Sequence, residues 1–231
     1  MIRTLLLSLV LLACETAKAG GFAVVPLRLD FAKNRGASIS VINTDEGAKT
    51  FEVRVMAWRQ KNLADSYEPS TDIVAAPATF KLEKNATQVV RLQLNRARDD
   101  DEHAYRVFID EVPIAREVKA VTLQTVVSMV VPAFVAPASG PLTKGQASLK
   151  ASFANDVIHV ELTNTGKANL KLMEWTLSSE KAGPLMKLAS ASYVLAGNTL
   201  IADRPLRIQA DGPLKVSIRT DRGTFSADVA R

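Results

Sequence analysis

Eleven consecutive residues, Val121-Thr-Leu-Gln-Thr-Val-Val-Ser-Met-Val-Val131, constrain the fold more than any other stretch of this chain. They are rich in β-branched and long apolar side chains and run into Pro132, so they read as a β-strand ended by a proline. One alternate set, Val121, Leu123, Thr125, Val127, Met129 and Val131, is apolar except at Thr125. The other set, Thr122, Gln124, Val126, Ser128 and Val130, is half polar. The stretch is about twice as long as a usual strand. Two architectures accommodate it. In one it is the central strand of an immunoglobulin-like sandwich, buried along its whole length. In the other it overruns its own core and leaves an apolar ladder with an unpaired edge, a place for a strand from another chain.

The rest of the chain keeps a rhythm of short period-two runs separated by turns, with almost no helical periodicity. Phe22 to Phe31 reads as a first strand interrupted by Pro26, which marks an edge strand or a switch between sheets. Arg28 stands in it among Leu27, Leu29 and Phe31, as an arginine snorkelling from an edge or as a fixed cation awaiting an anion. Ser38 to Asn43, Thr50 to Trp58, Gln88 to Leu94 and Glu102 to Val112 follow as strands, and residues 59–72 read as a polar loop. The count is about seven strands before Pro132, which is that of an immunoglobulin-like sandwich. Ala136-Pro-Ala-Ser-Gly-Pro141 is a linker. A second set of strands runs from Ala147 to Val229, with the Thr163-Asn-Thr-Gly166 turn inside it. His159, flanked by Ile158 and Val160, faces solvent.

The start of the chain predicts export. Met1-Ile-Arg3, an apolar run from Leu5 to Ala13 broken only by Ser8, and Ala17-Lys-Ala19 form a signal peptide cleaved after Ala19. Leu11-Leu-Ala-Cys14 offers a competing reading as a lipid-attachment box. Cys14 is the only cysteine, so its removal excludes disulfides and thiol chemistry. No later stretch has the roughly 20 apolar residues of a membrane helix. The formal net charge of +5 is modest, and no basic patch interleaves with aromatics, so nucleic acid is not an expected partner. His103 and His159 lie far apart, and no nucleophile motif, phosphate loop or metal-ligand spacing occurs. Asp99-Asp-Asp101 lacks the glycine and spacing of a calcium loop. The sequence therefore predicts no catalytic residues, no metal, no cofactor and no small-molecule substrate.

Several pieces occur together in a telling order: Pro26 and Arg28, the strand closing on Asn43, Ala76-Pro77 before Phe80-Lys-Leu82 and Gln88-Val-Val-Arg91, and Tyr105-Arg-Val-Phe-Ile-Asp-Glu-Val-Pro113 before the long apolar stretch. In these the chain resembles the periplasmic chaperones of the chaperone–usher pilus pathway, nearest to the archaic-type, spore-coat-like branch. The second half matches more weakly, in size and in Tyr193-Val-Leu-Ala-Gly197. The resemblance implies an all-β chain of two immunoglobulin-like β-sandwich domains in an L-shaped arrangement. The expected organisation is a signal peptide over 1–19, an N-terminal domain over 20–136 and a C-terminal domain over 142–231. It implies a periplasmic protein whose partners are pilus subunits and an outer-membrane usher. By donor-strand complementation it would lend Val121, Leu123, Thr125, Val127 and Met129 to a subunit lacking its last strand. It would hold the subunit's C-terminal carboxylate on Arg28. The family's second anchor is a lysine in the lent strand, but Val131 and Pro132 occupy that place here, and Arg106 is the candidate replacement. The alternative for Arg106 is an internal salt bridge to Asp110 or Glu111. The competing function is a secreted two-domain adhesion or structural pilus protein, against which stand the absent cysteine pair and the short segment before the first strand.

Overall fold

The computed structural model describes residues 21–61, 64–113, 125–206 and 212–230. The expected leader with Cys14, and Val121 and Leu123 of the apolar stretch, lie outside the described residues. All regular structure among the described residues is β. Ten strands come first: β1 (Phe22–Val25), β2 (Leu29–Phe31), β3 (Gly36–Asn43), β4 (Lys49–Lys61), β5 (Ala64–Pro69), β6 (Ile73–Ala76), β7 (Thr79–Leu82), β8 (Thr87–Leu94), β9 (His103–Val112) and β10 (Ser128–Val135). They form a four-stranded sheet ordered β1-β3-β8-β6 and a six-stranded sheet ordered β2-β10-β9-β4-β5, in which β7 also pairs with β4. The inward alternate residues of both sheets, among them Val41, Phe51, Leu92, Tyr105, Val107, Ile109, Val131 and Val135, close on one core.

Eight more strands build the second unit: β11 (Ala147–Ala154), β12 (Val157–Asn164), β13 (Leu170–Ser179), β14 (Gly183–Ala189), β15 (Tyr193–Val194), β16 (Thr199–Pro205), β17 (Leu214–Thr220) and β18 (Gly223–Ala230). Their order is β14-β13-β17-β18-β11-β12-β16, with β15 on β13. This sheet folds over a separate core of Ile158, Leu162, Leu172, Leu177, Val216 and Ile218. The chain is thus two immunoglobulin-like β-sandwich domains.

Ten strands replace the seven expected. Pro26 is the switch: β1 belongs to one sheet and β2, beyond the proline, to the other. Residues 59–72 hold the end of β4 and all of β5, a hairpin registered from Met56↔Pro69 to Lys61↔Ala64. Every residue of β5 is exposed, so no apolar alternation announces it. Pro132 does not end its strand; β10 runs through it to Val135. The amide of Glu111 donates to the Val127 carbonyl (3.1 Å), so the residues of β10 that face β9 are the odd-numbered ones. Pro132, opposite Arg106, therefore falls at a non-hydrogen-bonded pair and needs no N–H.

One corner is built twice. Buried Asn43 ends β3, and its Nδ2 donates to the carbonyls of Gly47 and Leu82, while its backbone exchanges bonds with Asn85 and Ala86. Buried Asn164 ends β12, with Nδ2 donating to Ala168 and Val194 and its backbone exchanging bonds with Gly197 and Asn198. Asn85 and Gly197 both take positive φ, 59° and 71°. Each asparagine satisfies carbonyls that the turn would otherwise leave unpaired, each such bond contributing about 0.5–1.5 kcal/mol net.

Candidate functional site

The face of β9 that turns away from the core carries Ala104, Arg106 and Phe108, opposite Phe134, Pro132 and Val130 of β10 on one side and Met56 and Arg54 of β4 on the other. Trp58 of β4 and Phe134 are buried there with Leu195 from the second domain, and Tyr193 packs against them. The three rings form one group: Trp58–Tyr193 at 5.8 Å and edge-on, Phe134–Tyr193 at 5.5 Å, Trp58–Phe134 at 6.0 Å. Two arginines bracket it. The Arg106 guanidinium lies 3.6 Å above the Trp58 ring, and that of Arg28 4.6 Å from the Phe134 ring. Each is also within 6 Å of Tyr193, at 5.8 and 5.9 Å. Two cations, one in the link before β2 and one on β9, thus converge on one aromatic platform between the domains.

Their electrostatic situations differ. Arg28 is already paired. Its Nε and Nη2 donate to Asp30 at 2.9 Å, and Nη1 donates to Asp221 of the second domain at 3.3 Å. Burial pulls its pKa down, but Asp30, Tyr193 and Asp221 together more than offset this and leave it above the usual arginine value. Arg106 has no ion pair among the described residues, and its Nε is buried without a hydrogen-bond partner among them. Burial lowers its pKa, and Tyr67, Asp65 and Tyr193 only partly counter that. A partly desolvated cation without an ion pair carries an uncompensated burial cost.

The platform depends on contacts between the domains. Gln60 bridges them: its Nε2 donates to the Tyr193 carbonyl (3.0 Å), and its Oε1 accepts from the Leu195 amide (2.8 Å). Glu102, nearly buried, accepts from the Asn169 amide and side chain at 2.6 and 2.7 Å and pairs with Arg222 at 3.4 Å. Asp221 and Arg222 sit in the tight turn between β17 and β18, so one turn supplies both ionic ties. Gly145 crosses this turn so closely that a Cβ on it would stand 2.6 Å from the Leu170 side chain and 3.1 Å from Arg222.

Beside the platform the sheet has an open edge. β2 pairs with β10 only at Ala133–Val135, and among the described residues nothing pairs with Ser128–Pro132 on the side away from β9. Along the apolar ladder, Val131 is 2% exposed, Met129 is half-buried against the core and Val127 is 36% exposed. Val126 and Val130 on the other side are exposed as well.

Residues 21–141 match the family model for pili and flagellar-assembly chaperones, PapD N-terminal domain. The chain belongs to this chaperone family. The fold has the same company. A chain of the CsuC–CsuE chaperone–tip adhesion subunit pre-assembly complex, from archaic chaperone–usher Csu pili of Acinetobacter baumannii, matches with TM-score 0.64 at 17% identity, over 91% of this chaperone and 98% of that chain. A chain of the Salmonella enterica SafA pilin–SafB chaperone complex matches at TM-score 0.61 and 19% identity, over 90% and 96%. The Pseudomonas aeruginosa CupB2 chaperone matches at TM-score 0.56 and 17% identity, over 90% and 100%. None of the curated protein sequences compared with it matches.

The residues singled out in the chaperone's sequence fall as follows. Arg28 lies between β1 and β2 at the domain junction, held by two carboxylates rather than snorkelling from an edge strand. Arg106 does not pair with Asp110 or Glu111. Those acids are taken by Arg54 and Lys49: Asp110 shares the outward row of β9 with Arg106 but lies four residues along it, beside Arg54, and Glu111 lies on the opposite row. Thr125 and Val127 precede β10, Met129 lies in it, and Val121 and Leu123 lie outside the described residues. Sequence reasoning missed Trp58, Phe134, Gln60, Asp221 and Glu102. The one signal available was Tyr193-Val-Leu-Ala-Gly197, the second-domain piece of the resemblance, which supplies Tyr193 and Leu195 to the platform.

Proposed function

We propose that this chaperone works in the periplasm, after removal of residues 1–19, by donor-strand complementation. The open edge of Ser128–Pro132 and the residues leading into it pair with a pilus subunit, and Thr125, Val127 and Met129, with Val121 and Leu123 before them, fill its groove. The observation that carries this reading is the ladder that climbs out of its own core: Val131 buried, Met129 half-buried, Val127 exposed, beside an edge with no partner strand among the described residues. A soluble protein that presents an apolar edge of this kind invites pairing unless a partner covers it. A subunit lacking a strand offers the complementary apolar groove and backbone groups.

Arg28 and Arg106 then anchor the subunit's terminal carboxylate on the aromatic platform. Arg106 stands where no lysine is available in the lent strand, and a guanidinium fork suits a carboxylate. The loaded complex is delivered to an outer-membrane usher. Nothing in this scheme requires catalysis or a cofactor.

The test is co-purification. The tagged chain, taken from periplasm of cells expressing the genes beside its own, is expected in an equimolar complex with a small secreted subunit. Arg28→Ala should weaken that complex by about 1.5–3 kcal/mol. Recovery of the chain alone, or as long self-polymers, would turn the reading to an adhesion or structural pilus protein.

A further inference from the structure

The carboxylate anchor is not vacant in the free chain. Arg28 faces two carboxylates, Asp30 and Asp221, against its single positive charge. Arg106, across the Tyr193 ring, is the other cation of the platform, and a third carboxylate arriving at Arg28 competes with both residents for its N–H groups, so the resident held least is the one exchanged. The two residents are held differently. Asp30 takes the Nε and Nη2 edge in two bonds of 2.9 Å. Asp221 takes only Nη1, at 3.3 Å, across the domain boundary. Its other oxygen accepts the Lys171 amide at 2.9 Å, so the side chain stays fastened to its own domain when it releases Arg28. The neighbouring tie of the same turn, Arg222 to Glu102, is independent of Arg28 and keeps the domains together.

We propose that Asp221 is a resident stand-in for the incoming carboxylate: it occupies Nη1 of Arg28 in the free chaperone, is exchanged on capture, and so sets how tightly the cleft takes up a carboxylate. This rests on the reading of Arg28 as the anchor. By reciprocity, a bound carboxylate loosens the contact between Arg28 and the second domain by the same factor that Asp221 weakens carboxylate binding.

Acetate is the probe, titrated into the full chain against chloride at matched ionic strength. Two signals are followed by NMR: the Arg28 Nε–H, assigned by its loss in Arg28→Ala, and the Asp221 side-chain carboxylate carbon. Both should move together and saturate together. In Asp221→Asn, which keeps an oxygen for the Lys171 amide, half-saturation at Arg28 should fall by about two- to fivefold. Asp221→Ser should behave likewise, which guards against an effect peculiar to the asparagine. If acetate saturates Arg28 while the Asp221 signal stays still, or if both variants keep the wild-type half-saturation, the exchange is refuted and the anchor stands. If acetate never perturbs Arg28 in any of the proteins, the anchor and the exchange fall together.

Discussion

Val127 and Val131 are the same residue on the same side of one extended run, four positions apart, yet one is 36% exposed and the other 2%. The difference lies in what faces them. Val131 packs into the first core together with Tyr105, Val107 and Ile109, and Met129 reaches its margin. Beyond Met129 the core ends while the backbone ladder to β9 continues, as the Glu111–Val127 bond shows. A period-two apolar pattern thus reports that a face wants cover, not that its own domain supplies it. One half of the run is covered by the chaperone's own core, and the other half is not.

The same substitution separates the two halves. Val131→Asp places a charge in the core, at several kcal/mol, against a total stability of about 5–15 kcal/mol for a domain; folded protein should be lost, as read by circular dichroism and urea unfolding. Val127→Asp should leave the unfolding free energy within about 0.5 kcal/mol of wild type while abolishing subunit capture in the co-purification. Capture that survives Val127→Asp would mean the exposed half is not the contact. Arg106→Ala should cost about 1.5–3 kcal/mol of subunit affinity, a loss absent for a subunit whose last residues are replaced by a neutral amide terminus. Equal losses for both subunits would assign Arg106 to packing on Trp58 alone. Thr125→Val should change stability least and act on kinetics. By removing the one polar rung of the ladder it should slow hand-over of the subunit, measured as the rate of exchange onto a competing donor peptide; an unaltered rate removes Thr125 from the account.

The strands of both cores were legible because one face of each is buried and the alternation is clean, as in Thr50 to Trp58. The β5 arm of the β4–β5 hairpin was not, since every one of its residues is exposed, and Pro132 misled because its pairing site lacks a hydrogen bond in any case. Arg28 could be found from its apolar neighbours, but its partner Asp221 is 193 residues away and nothing local marks it. Arg106 could be found from its apolar row, but not its seat on Trp58, which depends on cross-strand diagonals and the second domain. The doubled corner stayed hidden because Asn85 and Gly197 share a backbone conformation and not an identity.

Gln60 has a consequence for how the domains can move. Its amide meets a carbonyl and an N–H two residues apart on one side of the Tyr193–Leu195 backbone, while the Val194 carbonyl between them points the other way, to Asn164. Sliding the domains by one residue would offer Gln60 the wrong side of the chain, and sliding by two would remove the Tyr193 ring from both arginines. The joint is therefore indexed, like a toothed gear rather than a greased bearing. It resists creep, so the Tyr193 ring from the second domain is held in register with both arginines of the first, and the platform keeps its third ring.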